Sequence, residues 1–187
     1  MLKALQATTP LDGRSITIGK TALWVQADRP LYSLSIPLGG DAAFEASLAS
    51  SFGLARPAPG QFTESDTFRL CGLAQDQFFL TALDPQTPDD AALKGKLGDS
   101  AYVTDQSDSW VTLQLNGELA FAAMERICPI NLAPSAFPPG TLARTSMEHL
   151  SAIVMAEIDG SLTMLSPISS AESFWHAVEC SLVNVSF

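Results

Sequence analysis

Nothing in this sequence matches the short motifs by which nucleotides, metals or acyl groups are usually handled. Gly39-Gly40 stands alone before a helical pattern, so neither a phosphate loop nor a dinucleotide fingerprint is present. No G-x-S-x-G elbow, H-E-x-x-H or C-x-x-C occurs. Cysteine is scarce: Cys71, Cys128 and Cys180 are odd in number, widely spaced and set in apolar contexts. That excludes a disulfide framework and a zinc site, and predicts free, mostly buried thiols in a reducing compartment. Basic residues are also few, with 10 Lys+Arg against 20 Asp+Glu and a formal net charge of -10. Such a surface repels phosphate backbones and anionic lipids, so neither nucleic acid nor membrane is an expected partner. No apolar run approaches the ~18 residues of a membrane span, and the opening MLKALQATTPLDG lacks the apolar core of a signal peptide. The expected location is the cytoplasm.

What is present is strong periodicity. The clearest stretch is Asp105 to Cys128, where a polar turn, Asp105 to Asp108, leads to Trp110. Val111, Leu113 and Leu115 then alternate with Thr112, Gln114 and Asn116, as a half-buried strand requires. Asn116-Gly117 ends it. Ala120, Ala123, Met124, Ile127 and Cys128 follow at helical spacing, giving a strand, a glycine turn and an amphipathic helix.

Before this unit, Ser15 to Ile18 and Ala22 to Val25 read as short strands in a leading extension or hairpin. Leu31 onwards predicts a strand, then a helix over Asp41 to Phe52 with Phe44, Leu48 and Phe52 on one face and Gly53 as its C-cap. Leu54 to Asp66 reads as a loop, Thr67 to Gly72 and Gln77 to Leu83 as strands, and Pro88-Asp89-Asp90 as an acidic helix start. After the unit, Ala143 to Ile158 reads as extended, Asp159-Gly160 as a hairpin turn and Ser161 to Leu165 as its return strand. Ser169 and Glu172 match a capping box opening a helix with Ala171, Phe174, Trp175, Val178 and Leu182 on one face.

The halves repeat each other. Aligning Gly40 with Gly117 also pairs Asp41 with Glu118, Ala43 with Ala120 and Phe44 with Phe121. A second register pairs Thr81 with Thr163, Leu83 with Leu165 and Pro85 with Pro167. The expected fold is α+β: one domain over 1–187 with duplicated, ferredoxin-like β-α-β-β-α halves, 31–97 and 103–182, of antiparallel sheet with helices packed on it.

Candidate chemistry is sparse. His176 reads as a helix-surface residue. Glu148 and His149 adjoin in what reads as a strand, where neighbours point to opposite faces and do not cooperate in acid-base work. Asp105, Ser107 and Asp108 are oxygen donors, but too few for a hard cation, and read as turn formers.

From Ala101 to Leu182 the chain resembles the gamma subunit of heterotetrameric sarcosine oxidase. The likeness is carried by Val103 to Trp110 (VTDQSDSW), Leu115-Asn116-Gly117, Cys128 to Leu132 (CPINL), Phe137 to Gly140 (FPPG), Arg144-Thr145 and Ser173 to Ala177 (SFWHA). Asn131 stands where that family is expected to carry Asp. Phe52-Gly53-Leu54 and Gly72 extend the likeness loosely into the first half. More distantly the chain is similar to the folate-binding glycine-cleavage aminomethyltransferases, whose G-G-x-x-D-D segment supplies an Asp to the folate. Met147 to Met155 has neither Gly nor Asp, so that carboxylate has no counterpart.

The resemblance implies an aminomethyltransferase-like fold and a non-catalytic subunit, with no catalytic, cofactor or metal residues of its own. Its implied partners are alpha, beta and delta subunits, and the complex would carry FAD, FMN, NAD, zinc and tetrahydrofolate while oxidising sarcosine to glycine. Asp105, Asp108, Arg144 and His149, polar groups flanking the sheet, are the expected partner contacts. The alternatives are a free-standing tetrahydrofolate-binding aminomethyltransferase-like protein, the small subunit of a related N-methyl amino acid dehydrogenase, or a ligand-binding regulatory module.

Overall fold

A computed structural model describes residues 9–84, 87 and 91–187. In chain order the elements are β1 (Ser15–Ile18), β2 (Thr21–Val25), β3 (Leu31–Ser35), α1 (Asp41–Phe52), β4 (Phe62–Glu64), β5 (Phe68–Gly72), β6 (Gln77–Ala82) and α2 (Ala91–Leu97). They continue with β7 (Tyr102–Asp105), β8 (Trp110–Asn116), α3 (Ala120–Glu125), β9 (Leu142–Met147), β10 (Leu150–Ala156), β11 (Leu162–Pro167) and α4 (Ala171–Asn184). One sheet has the order β4-β5-β6-β3-β7, the other β9-β10-β11-β8-β2-β1. All neighbouring strands are antiparallel.

Strict alternation sorts each strand's side chains between two cores. Leu34, Leu70, Phe78 and Leu80 turn to α1 and α2, where Phe44, Leu48, Phe52, Leu93 and Leu97 meet them. Val111, Leu113, Val154 and Met164 turn likewise to α3 and α4, against Met124, Phe174, Trp175 and Val178. The opposite faces meet each other: Leu31, Phe62, Cys71 and Phe79 of the first sheet pack on Leu142, Ile153, Met155 and Leu165 of the second. The result is four layers, helices outside and two sheets face to face inside.

The two sheets share one element order. In the first, β3, α1, β5, β6, α2 and β7 form a ferredoxin-like unit with β4 as an added edge. In the second, β8, α3, β10, β11 and α4 repeat it with β9 as the added edge, but the strand beside β8 is β2. The expected leading hairpin is therefore an integral part of the second sheet. The boundary expected at residue 103 falls inside β7, which pairs with β3 of the first sheet.

Other local expectations need correction. The loop 54–66 contains β4, and α3 stops at Glu125, three residues short of Cys128, since Pro129 disfavours helical backbone just before it. The stretch 143–158 is two strands, because Glu148 and His149 both have positive φ, 47° and 67°, and turn the chain as a tight hairpin. No capping box forms at α4: its N-cap is Ser170, with no side-chain cap bond. Glu172 instead takes a bidentate pair of hydrogen bonds from Arg14 at 2.8 and 3.1 Å, tying the N-terminal hairpin to this helix. The acidic start at Pro88-Asp89-Asp90 lies outside the described residues, as does Pro85.

Where the notable glycine turn follows β8, the requirement is steric. Gly117 has φ +129°, and a Cβ there would lie 2.3 Å from the Lys20 carbonyl oxygen and 2.5 Å from Thr21 Cα. Gly160, in the β10–β11 turn, has φ +83° but open space around it. Gly117→Ala is expected to cost about 3 kcal/mol or more and Gly160→Ala about 1–2 kcal/mol, from urea unfolding curves.

Candidate functional site

The inward faces of the two sheets are not wholly apolar, and this is what builds a site. On one side of the apolar contact lie Arg69 and Thr81 from the first sheet, and Thr112, Gln114 and Thr163 from the second. They border a cavity of about 280 Å³ between the sheets. Both crossings of the chain close it: 26–29, running from β2 towards β3, and Ser107, between β7 and β8. The residues aligned in the second repeat register, Thr81 with Thr163 and Leu83 with Leu165, all line this cavity.

Its anchor is Arg69, which sits in the otherwise apolar strand FRLCG. Arg69 Nη1 and Nη2 donate to Glu157 Oε1 and Oε2 at 2.8 and 2.6 Å, while Nε donates to Glu64 at 2.7 Å. The side chains of Arg69 and Glu157 are each only 12% exposed. Burial works against the guanidinium charge, but the hydrogen bonds and charge of Glu157 outweigh it and hold Arg69 above its ordinary pKa. Thr163 donates to Glu157 at 2.5 Å and accepts from Gln114 at 3.2 Å, so one network spans both sheets. Phe62 stacks under the guanidinium at 4.3 Å.

Two donors in the cavity wall are left over. Arg29 Nε and Trp110 Nε1 are buried without a hydrogen-bond partner. Arg29 also forms no salt bridge among the described residues; burial, then the charge of Arg69, lowers its pKa against the opposing charges of Asp84 and Glu157. A buried donor left unmet costs about 1–3 kcal/mol, and a water or ligand oxygen would satisfy it equally. Asp28, at the mouth, has its carboxyl pKa raised by partial burial and then by the nearby charge of Asp108. Cys71 also lines the cavity, and complete burial pushes its thiol up to about 12, so it stays protonated at neutral pH.

The four expected contact residues are all exposed but do not converge. Asp105 ends β7; its carboxylate accepts from the Ser107 N–H at 2.9 Å and hydroxyl at 2.7 Å, which hold it below the usual carboxylate range. It is a turn former, and Ser107 Oγ in turn accepts from the Leu31 N–H at 3.1 Å. Asp108 follows in the same crossing. Arg144 and His149 lie on β9 and its hairpin turn, three strands away from β8 across the second sheet. Glu148 and His149 are turn residues, so the strand argument about their opposed faces does not apply. Glu148 instead borders an outer groove with Arg126, His176 and Cys180, where Cys180 Sγ lies 3.5 Å from the His176 ring. Among the described residues no group of three or more His, Cys, Asp or Glu is placed to hold a metal ion.

Sequence reasoning passed over Arg29, Arg69, Glu157 and the Trp110 N–H. Arg69 carried a signal, a lone charge in an apolar strand, which inside a two-faced sheet requires a partner. Arg29 carried none, being one charged residue in a polar loop.

No family model and no curated protein matches the chain. Solved structures do. A chain of heterotetrameric sarcosine oxidase from Corynebacterium sp. U-96, determined in complex with pyrrole 2-carboxylate, matches with a TM-score of 0.76 at 24% identity, covering 89% of this chain and 86% of that one. This chain has the sarcosine oxidase chain's fold. Glycine cleavage system aminomethyltransferase T from Bartonella henselae matches at a TM-score of 0.63 and 16% identity, over 87% of this chain and 46% of that one. This chain therefore spans about half of that transferase. The structural likeness agrees with the motifs that carry the family resemblance. The folate-contacting Asp expected of that family has no counterpart: between Met147 and Met155 the one carboxylate is Glu148, at an exposed turn bordering the outer groove.

Replacing one partner of the inter-sheet pair strands a charge. Arg69→Met is expected to lose about 3–5 kcal/mol in urea unfolding, and Arg69→Met with Glu157→Met to recover most of that loss. Thiol titration of the folded chain at pH 8 is expected to label half-buried Cys180 first, with Cys71 and Cys128 reacting only on unfolding, since burial raises both of their pKa values.

Proposed function

We propose that this chain is a non-catalytic small subunit of a cytoplasmic sarcosine oxidase-like complex, the counterpart of the gamma subunit. The observation that carries the reading is the mutual coverage of the fold match, 89% of this chain and 86% of a sarcosine oxidase chain. A match over most of both chains favours equivalence with that subunit, whereas the transferase match leaves more than half of that chain without a counterpart.

In this reading the alpha, beta and delta partners carry FAD, FMN, NAD, zinc and tetrahydrofolate and perform the oxidation of sarcosine. The small chain supplies shape and contact surface. A rigid four-layer body with polar groups at its sheet edges suits that role, since rim charges set orientation and encounter rate without forming a reaction centre. Asp105, Asp108, Arg144 and His149 are the proposed contacts. Because they lie three strands apart, they touch two separate parts of a partner surface.

Co-expression with the larger subunits is expected to recover a stoichiometric complex by size-exclusion chromatography. Arg144→Glu is expected to weaken assembly about tenfold while leaving the isolated chain's melting temperature within about 1 °C, because Arg144 is exposed and buries no charge. Sarcosine turnover or tetrahydrofolate binding by the lone chain at micromolar concentrations would overturn the subunit reading in favour of the transferase.

A further inference from the structure

The inter-sheet cavity has features that a subunit acting only as a spacer does not need. It is lined by hydrophobic side chains on one side, Leu31, Phe79, Ile153 and Leu165, and by polar groups on the other. At about 280 Å³ it lies at the small end of the range of ligand pockets, which starts near 300 Å³. Two of its lining residues, Arg29 and Trp110, each carry a buried N–H, Nε and Nε1, with no hydrogen-bond partner among the described residues.

The chemistry of those groups defines what would satisfy them. Nε and the adjacent Nη of an arginine form a planar two-donor fork that matches a carboxylate. Arg69 has no such capacity to spare, since Glu157 and Glu64 already occupy its donors. Arg29 is thus the guanidinium of the lining without a salt bridge among the described residues, while the charges of Asp84 and Glu157 reach it, Asp28 stands at the mouth and the chain carries a net charge of -10. In such acidic surroundings a monoanion meets less repulsion than a phosphate dianion. The Trp110 ring, edge-on to Phe79 at 5.4 Å, adds a flat aromatic wall and one further donor.

We infer that the cavity between the two sheets is a binding site for a small organic monocarboxylate with a flat apolar body, held by Arg29 and Trp110. The carboxylate accepts hydrogen bonds from the Arg29 fork. The apolar body lies against Phe79, Ile153 and Leu165, and the Trp110 N–H meets a second acceptor on the ligand or on a water bound with it. This site belongs to the chain itself and does not depend on the subunit reading.

Equilibrium dialysis of the full chain against labelled benzoate tests this. Saturable binding of one benzoate per chain below 10 mM is expected, with benzyl alcohol and inorganic phosphate each competing at least about tenfold more weakly. Arg29→Gln is expected to weaken benzoate at least about tenfold while the chain stays folded, because Arg29 makes no ion pair that the fold relies on. Leu165→Trp, which fills the cavity, gives a second test, its fold checked by circular dichroism. No saturable binding to the folded wild-type chain, equal binding by phosphate, or benzoate affinity unchanged in both variants would overturn the inference. None of these outcomes bears on assembly with larger subunits.

Discussion

A buried arginine in the middle of a sheet allows few arrangements around it. Arg69 projects from β5 towards the second sheet, and its charge is tolerable there only because Glu157, after β10, meets it with both carboxylate oxygens. This pair fixes the relative placement of the sheets, since a slide of a few ångströms would strand two ions in a low-dielectric space. The neighbouring apolar contacts, such as Cys71 on Met155 and Phe79 on Trp110, are non-directional and would tolerate more than one register. Greasy contact supplies most of the attraction between the sheets, and the ion pair selects one alignment.

The same alignment is reinforced where the sheets join. Phe62 N–H donates to the Gly140 carbonyl and Leu142 N–H to the Gly60 carbonyl, at 3.0 and 2.9 Å, a reciprocal exchange about the Gln61–Thr141 bridge. Both glycines have positive φ, 81° and 88°, and each follows a proline. The symmetry of this junction echoes that of the two element orders. It breaks at the opposite edge: β7 completes the first sheet from within the chain, while β2 completes the second from the N-terminal end. The chain therefore crosses between sheets twice, and those two crossings close the cavity.

For function, this geometry separates two kinds of surface. Exposed charges at the strand edges contact solvent at little energetic cost and are free to orient a partner. The inter-sheet space is small and lined by both apolar and charged side chains, and two of its lining residues carry buried donors without a partner among the described residues. Cys71, the one thiol among the described residues that line it, is held protonated by burial.

Local pattern alone determined the elements. The four-residue spacing of Phe44, Leu48 and Phe52, the alternation around Val111 and Leu113, and the αL cap at Gly53 are set within a few residues, and α1, β8 and that cap follow them. The repeat was legible in element order, although the two glycines turn differently: Gly40 is the N-cap of α1 at φ -87°, while Gly117, at φ 129°, precedes the N-cap of α3 by two residues. Alternation records which face of a strand is polar, however, and says nothing of what covers that face. Thr112 and Gln114 read as solvent-facing, yet they look onto a second sheet. That Arg69 meets Glu157, 88 residues on, that β2 pairs beside β8, and that Arg29 and Trp110 face one cavity were decided only by tertiary packing. Such contacts depend on how two separately stable layers stack, and stacking leaves no period in the sequence to read.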